Sequence, residues 1–434
     1  MYKLTMAAPK RAAGVTTFTA MSIAVRYFVR WPNLKIKPWV ICKSLRPGRG
    51  ILGSAIYAEP DHRREPGRTL VAAGKTLMAA PAPEVSLADC RVTVRETPSE
   101  DWDTFVMQAP DASLYHLSGW TELAREVFGH RTLFVEARER GGSLVGVLPV
   151  VQQRSWLLGN FATSVAFFNY GGALAGDPDV ARQMMVQASE AAEKRACRFL
   201  EFRDTQSRPG DWVVRSDKIV LRLELAVTFD DLSKRLGSKL RSQVKRAERE
   251  GVQCRTGTSV LLDDFYTVFA ENMRDLGTPV YPKRFFEVIL RRYEPHCQLV
   301  VIDWRGQPVA AAFLVFWRGC AEVPWASCRA EGKPLGMNMK LYWELLSLSI
   351  GRGCNVFDFG RSTAGAGTDR FKRQWGAQPV PLYWYRWERG GGRPETATGE
   401  ERGKVMRLAT AIWQRLPLRI ANTLGPLVSG ALPW

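Results

Sequence analysis

The sequence predicts an α/β (α+β) chain of two related domains, each a mixed sheet flanked by helices. Three observations carry this prediction. A hairpin pattern of two apolar strands around a glycine turn occurs in each half, at 131–153 and 298–319. A helical segment follows each hairpin region. Each helix then leads into a strand of similar pattern, CRFLEFRD at 197–204 and CNVFDFGR at 354–361, in which a cysteine precedes an acid, a phenylalanine and an arginine. Strands that alternate with helices in this way bury a sheet face against a helical layer.

In chain order, RTLFVEARERGGSLVGVLPVVQQ predicts two strands turning at Gly141–Gly142. FATSVAFFNYGG (161–172) supplies an apolar run that ends in glycines, and a helix is expected from about 179 to 195. The second hairpin turns at Arg305–Gly306, and a strand follows near 321–328. In PLGMNMKLYWELLSLSIGRG, residues Met337, Leu341, Leu345 and Leu348 recur at three- and four-residue steps on one helical face. Gly351 or Gly353 ends that helix. The two halves join near residue 228, giving domains at 90–228 and 229–400 and a C-terminal tail at 401–434.

The joining piece, LSKRLGSKLRSQVKRAEREGV, carries an apolar stripe of Leu232, Leu236, Leu240 and Val244 between seven cations. It predicts a surface helix whose basic face is either solvated or in contact with RNA or lipid phosphates. In the tail, Val405, Ala409, Ile412, Leu416, Ile420 and Leu424 form a second stripe, broken at Pro417. It suits docking on the protein or peripheral attachment to an anionic membrane.

The formal net charge is +18, but residues 1–85 hold fourteen Lys and Arg against four Asp and Glu, and so carry more than half of it. That segment has no sustained period and reads as a disordered arm, a small domain or an extension ahead of a start near Met78. Its most apolar stretch, MSIAVRYFVRW, falls far short of the roughly 20 residues that span a bilayer. Eight scattered cysteines form no CxxC pair, and four histidines have no zinc-like spacing, so a metal site is not expected. No GxSxG motif marks a nucleophile, and the histidines read as structural groups.

One stretch concentrates chemistry. FDFGRSTAGAGTDRFKRQWGA delivers Arg361 into a loop of small residues, followed closely by Asp369, Phe371, Lys372 and Trp375. Phe371 and Trp375, four apart, share one side of a helical turn. Such walls suit an acyl or sugar portion, while Lys372 faces a phosphate or a developing oxyanion. Lys372 ordinarily titrates near 10.4 and is a poor base unless desolvated. Asp358 and Asp369 are candidate proton acceptors, with Asp358 expected to pair with Arg361. In RAEGKPLGMNMK, Lys333 and Gly336 precede a helix whose N-terminus can receive a donor phosphate.

Taken jointly, FFNYGG, NMRDLGTPVYPKRFFEVIL, CNVFDFGRSTAGAGTDRFKRQWGA and VPLYWYR resemble the FemAB-related, GNAT-like proteins associated with PEP-CTERM/exosortase loci, within the BioF2-like acetyltransferase superfamily. The resemblance covers about residues 90–426. It implies tandem GNAT-like domains and transfer of an acyl or aminoacyl group to an amine. In FemAB relatives the donor is aminoacyl-tRNA and a Phe-Lys pair helps form the reactive site, which corresponds here to Phe371 and Lys372. Arg361 and Asp369 join Lys372 as candidate catalytic residues, and Trp375, Tyr281, Asn169 and Tyr170 join Phe371 as candidate substrate contacts. The resemblance leaves two donors open, aminoacyl-tRNA or acyl-CoA, neither tightly bound. The implied partners are an envelope or exopolysaccharide precursor, tRNA and a membrane surface, and the implied location is cytoplasmic or peripheral at the inner membrane. The long paired helical arm of tRNA-dependent members and an RxxGxG/A loop are both missing. A catalytically inactive precursor-binding protein of the same fold is the alternative.

Overall fold

The computed structural model describes residues 90–155, 158–210, 212–391 and 399–433. The readings of residues 1–85, including Met78 and His62, lie outside the described residues.

The first half runs through β1 (Cys90–Arg95), α1 (Trp102–Gln108), α2 (Ser118–Phe128), β2 (Arg131–Glu139), β3 (Leu144–Ser155), β4 (Gly159–Ser164), β5 (Leu174–Ala175), α3 (Pro178–Lys194), β6 (Phe199–Asp204), β7 (Val213–Arg215) and β8 (Lys218–Glu224). The second continues through α4 (Phe229–Arg235), α5 (Ser238–Arg249), β9 (Gln253–Gly257), α6 (Leu262–Asp275), α7 (Lys283–Tyr293), β10 (Cys297–Trp304), β11 (Gln307–Trp317), β12 (Cys320–Cys328), α8 (Met337–Gly351), β13 (Val356–Thr363) and α9 (Gly367–Arg373). It closes with β14 (Gln378–Pro381), β15 (Tyr383–Glu388), α10 (Gly399–Gln414) and α11 (Leu418–Ser429). Both hairpins form where the apolar runs and glycine turns placed them. Arg305 and Gly306 both take positive φ, 52° and 72°, at the tight second turn.

These strands make two mixed sheets flanked by helices. One sheet has the order β1-β2-β3-β4-β6-β15-β7, with β5 beside β3; the other has β14-β8-β13-β12-β11-β10-β9. Each contains one parallel pair, β4–β6 and β12–β13. Sheet membership crosses the division at residue 228: β8 joins the second sheet, and β15, near the end of the chain, returns to the first. The two halves are therefore laced together.

Alternate residues along the strands feed different cores, so the strands read as continuous apolar runs. Leu133, Val135 and Ala137 pack with α3 on the outer face of the first sheet. Phe134, Val147 and Val151 face a central core shared with Leu299, Val301 and Phe313 of the second sheet and with aromatics of α6 and α7. Val300, Ile302 and Leu314 face the outer core under α5 and α8. The central core explains much of the aromatic content. Phe285, Phe286 and Trp325 meet there with ring centroids 5.1–5.7 Å apart, edge to face.

Two expectations are corrected. The basic segment is not one helix. It breaks at Leu236–Gly237 into α4 and α5, although Leu232, Leu236, Leu240 and Val244 are all buried as the stripe requires. In the tail, Pro417 begins α11 and turns the chain. Trp413, Leu416, Ala421, Gly425 and Ser429 are then among the buried positions, whereas Ile412 and Ile420 are exposed. A single period cannot cross the break, because α11 restarts the helical phase. Among the described residues, no helix is long and apolar enough to cross a membrane.

Candidate functional site

The site is built on the parallel pair β12–β13. The strands pair only over Cys320–Glu322 and Val356–Asp358, although they continue to Cys328 and Thr363. Beyond that short contact they part. A bulge between Asp358 and Arg361 bends β13, and Gly360 within it has φ 73°. A Cβ at Gly360 would come within 3.1 Å of the Val323 carbonyl, so the close approach at the fork requires glycine.

At the root of the fork the register sets Glu322 opposite Asp358. Both are buried, and two carboxylates at such a distance repel. The strained FFNYGG loop brings the relief. Val165 and Phe167 within its approach hold positive φ, rare for bulky residues. The loop sets the Tyr170 hydroxyl 3.0 Å from Glu322 Oε2 and 3.3 Å from Asp358 Oδ2. Asn169 Nδ2 donates to Glu322 Oε1 at 3.0 Å. Arg222 Nε donates to Asp358 Oδ2 at 3.0 Å, and the Gly360 N–H to Asp358 Oδ1 at 2.8 Å. Burial, then the charge of Asp358, push the Glu322 carboxyl well above its ordinary range. A single Tyr170 hydrogen can serve one carboxylate only. A proton on Glu322 completes the chain, with Glu322 donating to Tyr170 and Tyr170 to Asp358. Asp358 thus pairs with Arg222 on β8 and not, as the sequence suggested, with Arg361.

Two cavities touch opposite ends of β12. One, of about 370 Å³, meets Cys320 and Glu322 and is lined by Tyr115, His116, Tyr170 and Arg222. The buried Tyr115 hydroxyl faces the Glu322 carboxyl there. The other, of about 450 Å³, meets Ala326–Cys328 and lies beside the start of α8, with Arg246, Lys333, Gly336 and Phe371 in its wall. Gly336 has φ 80°, and a Cβ there would stand 2.6 Å from the Gln243 carbonyl, so glycine lets α8 start hard against α5.

The candidate residues therefore separate. Lys333, Gly336 and Phe371 share the larger cavity. Asn169 and Tyr170 hold Glu322. Lys372 is buried, and its Nζ donates to the carbonyls of Gly360 and Arg361 at 2.8 and 2.9 Å, bracing the bulge. Burial, opposed by Asp358, pulls its pKa down to about 8. Asp369 closes its own loop, accepting from the Gly365 N–H at 2.8 Å and from Arg373 Nε at 2.6 Å. Trp375, expected in a pocket wall, is in the outer core at 1% exposure. Tyr281 is packed among Phe269, Phe285 and Phe286 in the central core. Arg361 lies 4.9 Å from the Trp384 ring centroid.

Sequence reasoning missed Glu322, Arg222 and Tyr115. Only Glu322 left a signal: an acid between Ala321 and Val323 inside a strand is out of place unless paired. The histidines bond backbone: His116 Nε2 to the Gly172 carbonyl, His130 Nε2 to Gly430, and His296 Nδ1 to Phe316.

Residues 234–373 match the family described as an acetyltransferase (GNAT) domain. Among solved structures, FemX is similar with a TM-score of 0.51 and 12% identity, over 67% of this chain and 96% of that one. A tandem GNAT protein from the clavulanic acid biosynthesis pathway has a TM-score of 0.46 and 10% identity, over 71% and 100%. L-PGS from Bacillus licheniformis has a TM-score of 0.45 and 15% identity, over 74% and 98%. The comparison with curated proteins returned no match. The likeness is one of fold, GNAT- and FemAB-like, and it points to acyl or aminoacyl transfer in general without specifying an acceptor.

Proposed function

We propose that the protein transfers an acyl or aminoacyl group to an amine of an envelope or exopolysaccharide precursor. The observation that carries this reading is the larger cavity at the open end of the β12–β13 fork, with Lys333 and Arg246 in its wall. Acyl-CoA and aminoacyl-tRNA both carry phosphate on the same molecule as an activated carbonyl, at the far end of the pantetheine arm in the first and on the terminal nucleotide in the second. Lys333, Arg246 and the first N–H groups of α8 suit that phosphate. Phe371 gives the acyl portion an apolar wall. The acceptor enters the smaller cavity, where Glu322 in its ionised form takes the proton released as the amine nitrogen bonds to the carbonyl carbon and the thiolate or ribose oxygen departs. Lys372 holds the bulge and adds positive potential nearby. The basic faces of α4 and α5 suit a donor RNA.

The envelope setting rests on the sequence resemblance. It is supported by the exposed Met406, Leu408, Ile412, Ile420 and Leu427 of α10 and α11, which are interspersed with the exposed Arg407, Arg415 and Arg419. This face suits peripheral contact with an anionic inner membrane from the cytoplasmic side.

One observation favours a second reading, a precursor-binding module without turnover: the Lys372 ammonium is already committed to two backbone carbonyls. Incubating the full-length protein with acyl-CoA or aminoacyl-tRNA pools and amine-bearing envelope precursors separates the two. Mass analysis should show an acylated acceptor, lost in Glu322→Gln. Precursor binding with no mass gain from any donor would establish the binding module.

A further inference from the structure

We propose that Arg361, Arg203 and Arg215 form an oxyanion site around Trp384 that takes a phosphate or diphosphate group of the acceptor. The proposal rests on the acceptor reading above for the source of that phosphate, while the site itself is argued from the geometry.

Strand register builds one side of it. Trp384 on β15 stands opposite Arg203 on β6 and Arg215 on β7, and their guanidinium carbons lie 4.5 and 5.7 Å from its ring centroid. Arg361 arrives from the other sheet, 4.9 Å from the same centroid. The two matching strand motifs of the chain thus deliver their arginines to one place. That convergence makes the site a feature of the junction between the sheets.

The charges around the ring do not balance. Arg203 is held by Glu201 at 3.0 Å and donates to the Phe168 carbonyl at 2.8 Å. Arg215 meets Asp217 at 3.2 Å. The Arg361 guanidinium makes no hydrogen bond or ion pair among the described residues, although its backbone carbonyl accepts from Lys372, so its five side-chain donors are uncommitted. Burial, then the neighbouring Arg203, lower its pKa to about 10. Three guanidiniums around one ring repel one another, and a bound anion offsets that repulsion. The Trp384 indole N–H is a fourth donor, buried and without a hydrogen-bond partner. Guanidinium forks match phosphate oxygens in pairs, and stacking on an indole fixes the plane of the fork. Arg215, whose side chain is 44% exposed, opens the cluster to solvent.

The test is calorimetric titration of the full-length protein with inorganic pyrophosphate, inorganic phosphate and acetate at low ionic strength. Pyrophosphate should bind more tightly than phosphate, and acetate least. Arg361→Gln should weaken pyrophosphate binding by about tenfold or more, the loss expected for hydrogen bonds to a charged group. Arg215→Gln should weaken it less, and Lys333→Gln, at the separate donor-phosphate cavity, should leave the Arg361-dependent binding event unchanged. Trp384→Phe, which removes the indole N–H and the pyrrole part of the ring but keeps an aromatic face, serves with Arg215→Gln if Arg361→Gln fails to fold. Wild-type protein that ignores pyrophosphate, an Arg361→Gln protein that binds it normally, or loss confined to Lys333→Gln overturns the proposal. Acetate binding as tight as pyrophosphate overturns the phosphate assignment. The readout does not depend on turnover, so pyrophosphate binding without acyl transfer refutes the transferase reading alone.

Discussion

Replacing Lys372 by Met removes a buried cation while keeping most of its volume, and its cost should depend on pH in a defined direction. The ammonium donates to two carbonyls, and leaving those unpaired costs about 1–3 kcal/mol each. Against this stands the cost of holding the charge away from water. The pKa falls from 10.5 to about 8, a cost on the order of 3 kcal/mol at about 1.4 kcal/mol per pKa unit. Below pH 8 the group is charged in both folded and unfolded chains, and the folded protein bears that cost in full. Above 10.5 it is neutral in both, and the cost is gone. Stability attributable to this group is therefore present above 10.5 and lost as pH falls through 8. Near pH 7 the two effects of Lys372→Met partly cancel. By pH 10 most of the offset has vanished, and the substitution should cost roughly 2–3 kcal/mol more than at pH 7. Equilibrium urea unfolding of both proteins at pH 7, 8, 9 and 10 measures this difference. A difference that stays flat across the series would mean that the ammonium is hydrated, and the electrostatic role given to it would fall.

Three further outcomes follow from the site and its core. Glu322 has a folded pKa above 4.5, so its contribution to stability is complete below 4.5 and is lost as pH rises through the folded value. Glu322→Gln should accordingly gain on wild type between pH 5 and pH 8 in urea unfolding, and an identical gap at both pH values would contradict the shared proton. Gly336→Ala places a Cβ 2.6 Å from the Gln243 carbonyl at a φ of 80° and should cost about 1–3 kcal/mol. Its melting temperature should drop and donor affinity should weaken, and a fully wild-type protein would show that α8 does not need that close approach. Phe285→Ala in the fully buried central core should lose about 3–5 kcal/mol, read from the urea midpoint, with less than 1 kcal/mol indicating a core that collapses around the gap.

Local pattern was enough to find the elements. The short apolar runs in 131–153 and 298–319, each interrupted by a glycine turn, specified hairpins because strands buried on both faces need apolar residues at successive positions. The spacing of Met337, Leu341 and Leu345 specified α8 for the corresponding reason in a helix. Even the repeated strand motif, and the presence of Arg203 and Arg361 within it, could be read without coordinates. The location of Lys333 and Gly336 just ahead of a helix was also legible.

Tertiary structure alone decided what these residues meet. Arg222 was an unremarked cation in an apolar strand until β8 paired with β13 and set it beside Asp358, 136 positions away. Asn169 and Tyr170 reach Glu322 across more than 150 residues. The return of β15 to the first sheet makes Trp384 the meeting point of three arginines. Periodicity encodes which side of an element avoids water, and every apolar surface is satisfied by burial of any kind. It does not encode which buried surface lies opposite. That choice is made collectively by packing, strand register and the pairing of buried charges, and for this chain it determines where the chemistry sits.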